Sequence, residues 1–475
     1  MTRMRRFAVG GPLVAAAAYA LAACSLAPRY ARPPAPVPAQ YPADRSAESP
    51  QASAADTLGW SEFFGDPRLR DLLRLAVRNN RNLRTAMQRV EEARALYGIQ
   101  RADQLPTISS GAMQSRTRVP ADLSLTGQSL ISSQYQATLD LSLWELDFWG
   151  RVRNLESAAL ESYLATAAAR RAVEISLVAQ VANTYLFARE LDERLDIAQK
   201  ALTSREQSAR FMRRRHEVGS ASKLDATQSE MLLNQAQSEL TTLERLRELN
   251  HDALNLLVGA AVPPASRPLS AIESTFARDI APGLPSALLE SRPDILAAEH
   301  RLKAANANIG AARAAFFPRI ALTGSVGSAS SELDGLFRAG SRAWSFTPVL
   351  SVPIFSGGRN KANLDLAEAR RDIAVSVYEQ TVQNAFREVA DALANRRWLA
   401  RLVAVQKTTV AIQTERSRLA DLRYRSGAAS YLEVLDAERD RFAAEQALVQ
   451  TRRAWLASAV DLYAALGGGA DPSKP

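Results

Sequence analysis

Apolar positions along this 475-residue chain follow two rhythms, and the succession occurs twice. Ile295, Ala298, Leu302, Ala305, Ile309 and Ala312 recur at three- and four-residue steps, which places them on one helix face. Pro318 ends that run, because proline has no N–H to donate and clashes with the preceding turn. Beyond it, Ile320, Leu322 and Val326 alternate with small or polar residues, the period of a strand. The same order stands 212 positions earlier. Leu83, Ala86, Val90, Ala93 and Tyr97 keep the helical steps, and Gln104-Leu105-Pro106-Thr107-Ile108 takes the place of Phe316-Phe317-Pro318-Arg319-Ile320. Other landmarks repeat at an offset of 208: Gly150-Arg151 with Gly358-Arg359, Gly219 with Gly427, Gly259 with Gly467. Repeats of this size exceed solenoid units. The chain reads as a duplicated fold, one repeat over residues 61–261 and the other over 283–467.

The first helical region opens at Asp66-Pro67, a capping residue followed by proline at the first helical position. Leu69, Leu72, Leu73, Ala76 and Val77 form its apolar face, and a kink is expected near Asn79–Asn82. Two strands follow. In the clearer one, Tyr135, Ala137, Leu139, Leu141 and Leu143 alternate with Gln136, Thr138, Asp140, Ser142 and Trp144. Its counterpart alternates Trp344, Phe346, Pro348, Leu350, Val352 and Ile354 with Ser345, Thr347, Val349, Ser351 and Pro353. One face is oily, the other small or polar. About 10 residues suffice for a tilted strand to cross a bilayer, and the pattern alone serves a soluble sandwich strand equally well. Four such strands cannot close a barrel, and lipid tolerates no open edge. If they span a membrane, several copies must contribute, and three would supply twelve strands.

A long helical run follows each strand pair. The first, from about Val152 to Val218, carries Leu177, Val181, Thr184, Ala188, Leu191, Leu195, Ala198 and Leu202 at four-three steps. It predicts a helix of roughly 100 Å, which turns at Gly219 and returns from Ser222 to Leu257. The second repeat turns at Gly427, and its returning helix bears Leu435, Phe442, Val449, Leu456 and Tyr463 at strict seven-residue spacing. Sustained heptads mean coiled-coil packing. The fold class is therefore mainly α with a β-barrel contribution: duplicated strand hairpins and long helical hairpins, ending in a loose tail over residues 468–475. The mature chain lacks any run of 18 apolar residues, so no transmembrane helix is expected.

The N-terminus changes the context. Arg3, Arg5 and Arg6, then an alanine-rich apolar run, form an export signal over residues 1–23. Leu21-Ala22-Ala23-Cys24 places the only cysteine of the chain directly after small residues. That pattern resembles a bacterial lipobox, in which Cys24 is acylated and anchors the chain to a membrane surface. Ser25 follows, and by the same resemblance its place favours the outer membrane. Residues 24–60 carry seven prolines and read as an extended arm. The formal charge is +9, or +6 without the three signal arginines, with acids and bases interspersed. No basic run carries interleaved aromatics, so no nucleic-acid partner is expected.

Candidate chemistry is sparse. His216, His251 and His300 are scattered without a second metal-type ligand at helical spacing. There is no nucleophile elbow, phosphate loop or Cys/His pair, and the small residues of Gly324-Ser325-Val326-Gly327-Ser328 suit a strand better than a binding loop. No metal, no cofactor beyond a lipid on Cys24, and no enzyme activity are expected. The helical turns are more informative. Leu432 and Asp436, four residues apart just after the second turn, share a helix face. Around a three-fold axis each would form a ring, a leucine ring closing a pore by dewetting and an aspartate ring favouring cations. The competing reading makes Leu432 and Leu435 coiled-coil core and Asp436 a surface charge.

Six stretches together resemble the TolC-like outer-membrane efflux proteins, and among them the NodT-type lipoproteins. They are the lipobox ending at Cys24, Leu146 through Arg153, Leu284-Pro285-Ser286 through Ile295, Ala315 through Ile320, Phe355 through Arg359, and Gly427 through Asp436. The resemblance covers nearly the whole mature chain. It implies a homotrimer with a twelve-stranded barrel in the outer membrane and a helical tunnel in the periplasm. Such a duct passively exports drugs or other small molecules for a tripartite system. Its partners are a periplasmic adaptor protein, an inner-membrane RND-type pump and outer-membrane lipid. By the same resemblance Asp436 and Leu432 narrow the periplasmic gate, with Glu433 where some relatives carry another aspartate. The tips at Gly219 and Gly427 dock the adaptor. The arginine that latches the helix pairs in some relatives is missing, since Ala428 and Ala429 occupy its place. The alternative is a structural coiled-coil lipoprotein of the periplasm, from which the oily-faced strand pairs discriminate.

Overall fold

The computed structural model describes residues 25–41, 53–54, 58–125, 127–263, 273, 276–278, 280–281 and 287–468. Cys24, the export signal, Leu284-Pro285-Ser286 and the end of the tail lie outside them. The main elements, in chain order, are α1 (Pro67–Asn79), α2 (Arg81–Ala102), β1 (Ile108–Val119), β2 (Leu130–Leu146), α3 (Arg151–Glu217) and α4 (Lys223–Val258). The second repeat supplies α5 (Pro293–Ala314), β3 (Arg319–Ser330), β4 (Arg342–Ser351), α6 (Arg359–Arg425) and α7 (Tyr431–Ala465). Both α3 and α6 are unbroken over 67 residues. None of the described helices is apolar enough to cross a membrane. The chain forms two compact units. One comprises Met1–Pro33, Arg89–Thr166 and Ala297–Tyr378, the other Pro34–Gln88, Ala167–Leu296 and Glu379–Pro475, so each draws on both repeats.

In the first unit the four strands form one antiparallel sheet in the order β1-β2-β3-β4. The register sorts side chains by face. Ile108, Leu141 and Phe346 share one face through Gly324, and Leu139, Val326 and Trp344 form the next row on it. Ser109, Asp140, Ser325 and Ser345 make a row on the opposite face, where the Ser325 and Ser345 hydroxyls are 2.8 Å apart. Apolar side chains on the first face have nothing over them in the single chain: Trp344 is 73% exposed and Phe346 59%. The outer edges, β1 and β4, have no strand beside them among the described residues.

Two expectations change here. β4 ends at Ser351, leaving Val352 and Ile354 beyond the strand. Trp144, expected on the polar face, lies on the apolar one. A bulge between Leu141 and Trp144 inserts one residue into β2, which pairs Trp144 with Leu322 and Leu146 with Ile320. One extra residue exchanges the faces of everything that follows it. The small residues of β3 also gain a specific reason, since a Cβ on Gly327 would lie 2.0 Å from the Ala137 carbonyl oxygen of the neighbouring strand.

In the second unit, α1 starts where expected. The Asp66 carboxylate accepts from the Leu69 N–H at 3.1 Å and from the buried Tyr185 hydroxyl at 3.2 Å. The kink falls at Asn80, whose side chain caps α2 by accepting from the Leu83 N–H and donates to the Leu257 carbonyl. Around these polar anchors packs the main core: Phe63, Phe64, Leu69, Leu73, Val181, Leu186, Phe276 and Tyr463. Tyr463 stacks on Phe63 at 4.1 Å and donates to the Leu58 carbonyl at 2.5 Å. Of the α7 heptad residues, Leu435, Val449, Leu456 and Tyr463 are buried and Phe442 is half-buried. Two arginines tie α3 to α7: the buried Arg452 pairs with Glu193 at 3.0 Å, and the half-buried Arg453 with Glu190 at 2.9 Å.

Candidate functional site

The two helical turns in the second unit are built alike. Each helix ends on a glycine with φ +74°, Gly219 and Gly427, a left-handed conformation that other residues adopt at a cost. At the first turn Gly219 N–H donates to the His216 carbonyl and Ser220 N–H to the Arg215 carbonyl. At the second, Gly427 N–H donates to Tyr424 and Ala428 N–H to Arg423. This paired pattern satisfies the helix-end carbonyls in both turns. The arginine of each turn then reaches forward: Arg215 donates to the Ser220 carbonyl at 3.0 Å, Arg423 to the Ala428 carbonyl at 3.4 Å. The returning helices start differently. Ser222 and Asp225 form a reciprocal capping box, whereas the Ser430 side chain makes no cap.

The duplication is broken at one contact. Arg215 also donates to the Tyr424 hydroxyl, joining the end of α3 to the end of α6. The Tyr424 ring packs on Tyr431 at 4.9 Å, above the buried Ala420, Val434 and Ala437. Ala428 and Ala429 carry no polar side chain after the turn, and the cross-hairpin tie comes from an arginine before the other turn. Sequence reading missed this pair, because Arg215 corresponds under the 208-residue repeat to Arg423 and Tyr424 to His216.

Past the turn, Leu432 and Leu435 separate. Leu435 is 3% exposed and belongs to the core, while Leu432 is 43% exposed. Asp436 is half-buried on the same face as Leu432 and accepts from Arg439 at 3.1 Å. Glu433 faces Arg423 at 3.7 Å. Glu433 and Asp436 line a groove of about 770 Å³ between α6 and α7, opposite Ile412, Arg416 and Leu419. The arrangement offers water one apolar side chain and two carboxylates, each with one arginine nearby.

A charged seam lies farther along α3 and α7. Lys200 and Arg205 of α3 face Glu438, Arg441 and Glu445 of α7 around a cavity of about 310 Å³. Burial pushes the Glu438 and Glu445 carboxyls above their ordinary range, and burial pulls the Arg205 guanidinium down. Arg205 donates to the Leu232 carbonyl and lies over the Phe442 ring. No cluster of three or more metal-type ligands occurs among the described residues.

In the first unit, residues 25–32 of the arm are held against the helices. Ser25 donates to Asn154, Asn306 donates to the Pro28 carbonyl at 2.7 Å, and Tyr30 donates to Glu299 at 3.0 Å. Arg32 grips both oxygens of the buried Glu299, at 3.2 and 2.9 Å, and Lys303 approaches it at 3.2 Å. Burial alone pushes the Glu299 carboxyl up; hydrogen bonds from Arg32, Tyr30 and Lys303 outweigh it and hold the group below its ordinary value. Ser25 is thereby fixed beside the first turn of α3, next to the strand–helix junction. There Trp149 stacks on Phe317 at 4.7 Å and donates to the Pro318 carbonyl.

Known proteins share this architecture. The family model described as outer membrane efflux protein matches residues 72–260 and again 284–468. The chain is 46% identical to the outer membrane protein OprJ of Pseudomonas aeruginosa, covering 99% of this chain and 98% of that protein. It is also 46% identical to the solvent efflux pump outer membrane protein SrpC of Pseudomonas putida, over 94% and 96% of the two chains. Among solved structures, the open state of the MtrE outer membrane channel of Neisseria gonorrhoeae superimposes with a TM-score of 0.84 at 39% identity, over 94% of this chain and 98% of that one.

Proposed function

Because this chain belongs to the outer membrane efflux protein family and is an efflux channel of the outer membrane, we propose that it works as a homotrimeric exit duct of a tripartite pump. The observation that carries the trimer is the sheet. It has an oily face, a polar face and two edges with no strand beside them among the described residues, and a strand edge is not tolerated in hydrocarbon. Closing β4 of one copy on β1 of the next removes all edges, puts Trp344 and Phe346 in lipid and lines the lumen with Asp140, Ser325 and Ser345. Trp398, Val405, Ile412 and Leu419, exposed on α6 at seven-residue spacing, supply a second seam for a neighbouring copy.

Transport is passive, the chain catalyses nothing, and the energy comes from an RND-type pump in the inner membrane. A periplasmic adaptor docks on the tips around Gly219 and Gly427. Leu432, Glu433 and Asp436 form the periplasmic constriction. Cys24 carries the lipid. The cargo is of the drug and solvent kind named for the relatives. Planar-bilayer recording of the detergent-extracted protein tests the reading. Small, discrete conductance steps from a heat-modifiable trimer are expected. A folded protein that stays monomeric and never inserts would refute it.

A further inference from the structure

The apolar face of the sheet does not stay apolar to its end. From the helix junction outward its rows run from Leu146–Ile320–Leu350 through Leu139–Val326–Trp344 to Ala112–Ala137–Ser328–Arg342, then Gln114–Tyr135–Ser330, Arg116–Ser133 and Arg118–Ile131. Ile320 and Ser330 are ten residues apart. At about 3.3 Å per residue and a tilt near 40°, that distance rises roughly 25 Å, the height of the lipid-facing band of a membrane barrel. Tyr135, donated to by Gln114 at 3.1 Å, then stands at the outer boundary, where aromatic rings gather. Arg342 lies one row below that boundary, and Arg116 and Arg118 lie one and two rows above it. All three are exposed. No carboxylate among the described residues pairs with any of them, and the nearby Asp334 is taken by Arg338.

Unpaired arginines on the lipid side of a barrel can remain there only if their guanidinium groups reach a polar headgroup layer. β1 and β4 are the two edges of the sheet. In the trimer proposed above, on which this inference rests, the edge strand bearing Arg342 in each copy closes on the edge strand bearing Arg116 and Arg118 in the next. We propose that Arg116, Arg118 and Arg342 form, at each protomer seam, a binding site for the phosphate groups of the outer-leaflet glycolipid. Guanidinium groups match phosphate with paired, charge-assisted hydrogen bonds. Three cations converge on one seam, which suits a glycolipid carrying several phosphates better than a single-phosphate phospholipid. The bound lipid would seal the seam between copies on its outer side.

The test compares full-length native protein with the triple variant Arg116→Gln, Arg118→Gln, Arg342→Gln, both extracted from outer membranes in mild detergent. Lipid A is quantified by mass spectrometry of the purified trimer, and capture is repeated with delipidated protein in nanodiscs containing lipid A or phosphatidylglycerol. The native trimer is expected to retain lipid A, and the variant about tenfold less, with unchanged heat-modifiable migration. Equal retention by both overturns the site, as does native capture of phosphatidylglycerol as strong as that of lipid A. If the triple variant fails to assemble, the single variants Arg116→Gln and Arg342→Gln each carry the same expectation at smaller amplitude. A native chain that migrates as a monomer breaks the trimer reading instead, and is seen before any lipid is counted.

Discussion

Arg215, in the last turn of α3, donates to the hydroxyl of Tyr424, in the last turn of α6. It is a direct polar tie between the two hairpin tips, and it joins positions that the internal duplication does not equate. The remaining contacts of Arg215, to Ser220 and over the Phe211 ring, stay within its own hairpin. Replacing Tyr424 with Phe therefore removes the tie while keeping the ring on Tyr431. We expect a stability change of no more than about 1 kcal/mol, the net value of a partly exposed hydrogen bond. Single-channel conductance should rise, because the tips part more easily. A variant with native conductance would show that this contact does not restrain the tips.

Leu432 and Asp436 act by different physics, so their variants should separate. Leu432→Ala widens an apolar constriction and should raise conductance for all ions. Asp436→Asn leaves the size unchanged and should shift the reversal potential in a salt gradient toward lower cation preference. The shift will be modest, since Arg439 at 3.1 Å already offsets part of the carboxylate charge. Asp436→Ala with Leu432→Ala should give the largest steps. Equal conductance and equal selectivity in all three variants would remove both residues from the gate.

How much of this was legible in sequence depended on the range of each contact. The four strands, the four long helices and both glycine turns follow from period and from single residues such as Asp66, Gly219 and Gly427. The wrong face for Trp144 came from reading period two through a bulge, which leaves no mark in residue type. Leu432 and Leu435, three apart on one helix, are equally apolar, and only tertiary packing decides which is core. The clamp of Arg32 on Glu299 spans 267 residues of sequence, beyond any local pattern. Its hint was a charged residue inside the apolar stripe of α5.

The turn glycines admit a conformational test. Space for a Cβ is open at Gly427, so Gly427→Ala is opposed by its φ of +74° and not by a clash. A destabilisation of about 1–2 kcal/mol follows from the left-handed conformation. Gly427→Asn, whose side chain tolerates that region, should recover part of it. The thermal midpoint of trimer dissociation reports both. Alanine and asparagine variants with equal midpoints would contradict a backbone origin.

The arm clamp makes a prediction about acid. The Glu299 carboxyl is held below its ordinary value, so its contribution is fully present above the unfolded carboxylate range and is lost as pH falls through the lower folded value. The arm should stay bound across the neutral range and loosen only in strong acid. Hydrogen exchange over residues 25–33, corrected for intrinsic rates, should be flat from pH 7 to 5 and accelerate below about 4. In Glu299→Gln the acceleration should already be present at pH 7, by about five- to tenfold. Protection in that variant equal to native would mean that the arm is held without the carboxylate.

The seam between α3 and α7 should respond to pH in the opposite sense. Burial raises the folded-state values of Glu438 and Glu445, so the folded form binds protons more tightly than the unfolded one. Stability is then gained as pH falls through the raised values toward the ordinary carboxylate range, and lost again as pH rises. Arg441 and Arg205 oppose the rise at Glu438, as do Arg441 and Lys200 at Glu445, without cancelling the burial that drives it. Native protein should therefore gain thermal stability as pH falls from neutral toward the ordinary carboxylate range. The double variant Glu438→Gln, Glu445→Gln should gain less, because glutamine has no proton to take up. A pH profile that is the same for both proteins would show that these two carboxylates are solvated, and that the cavity around them is filled by water rather than closed over them.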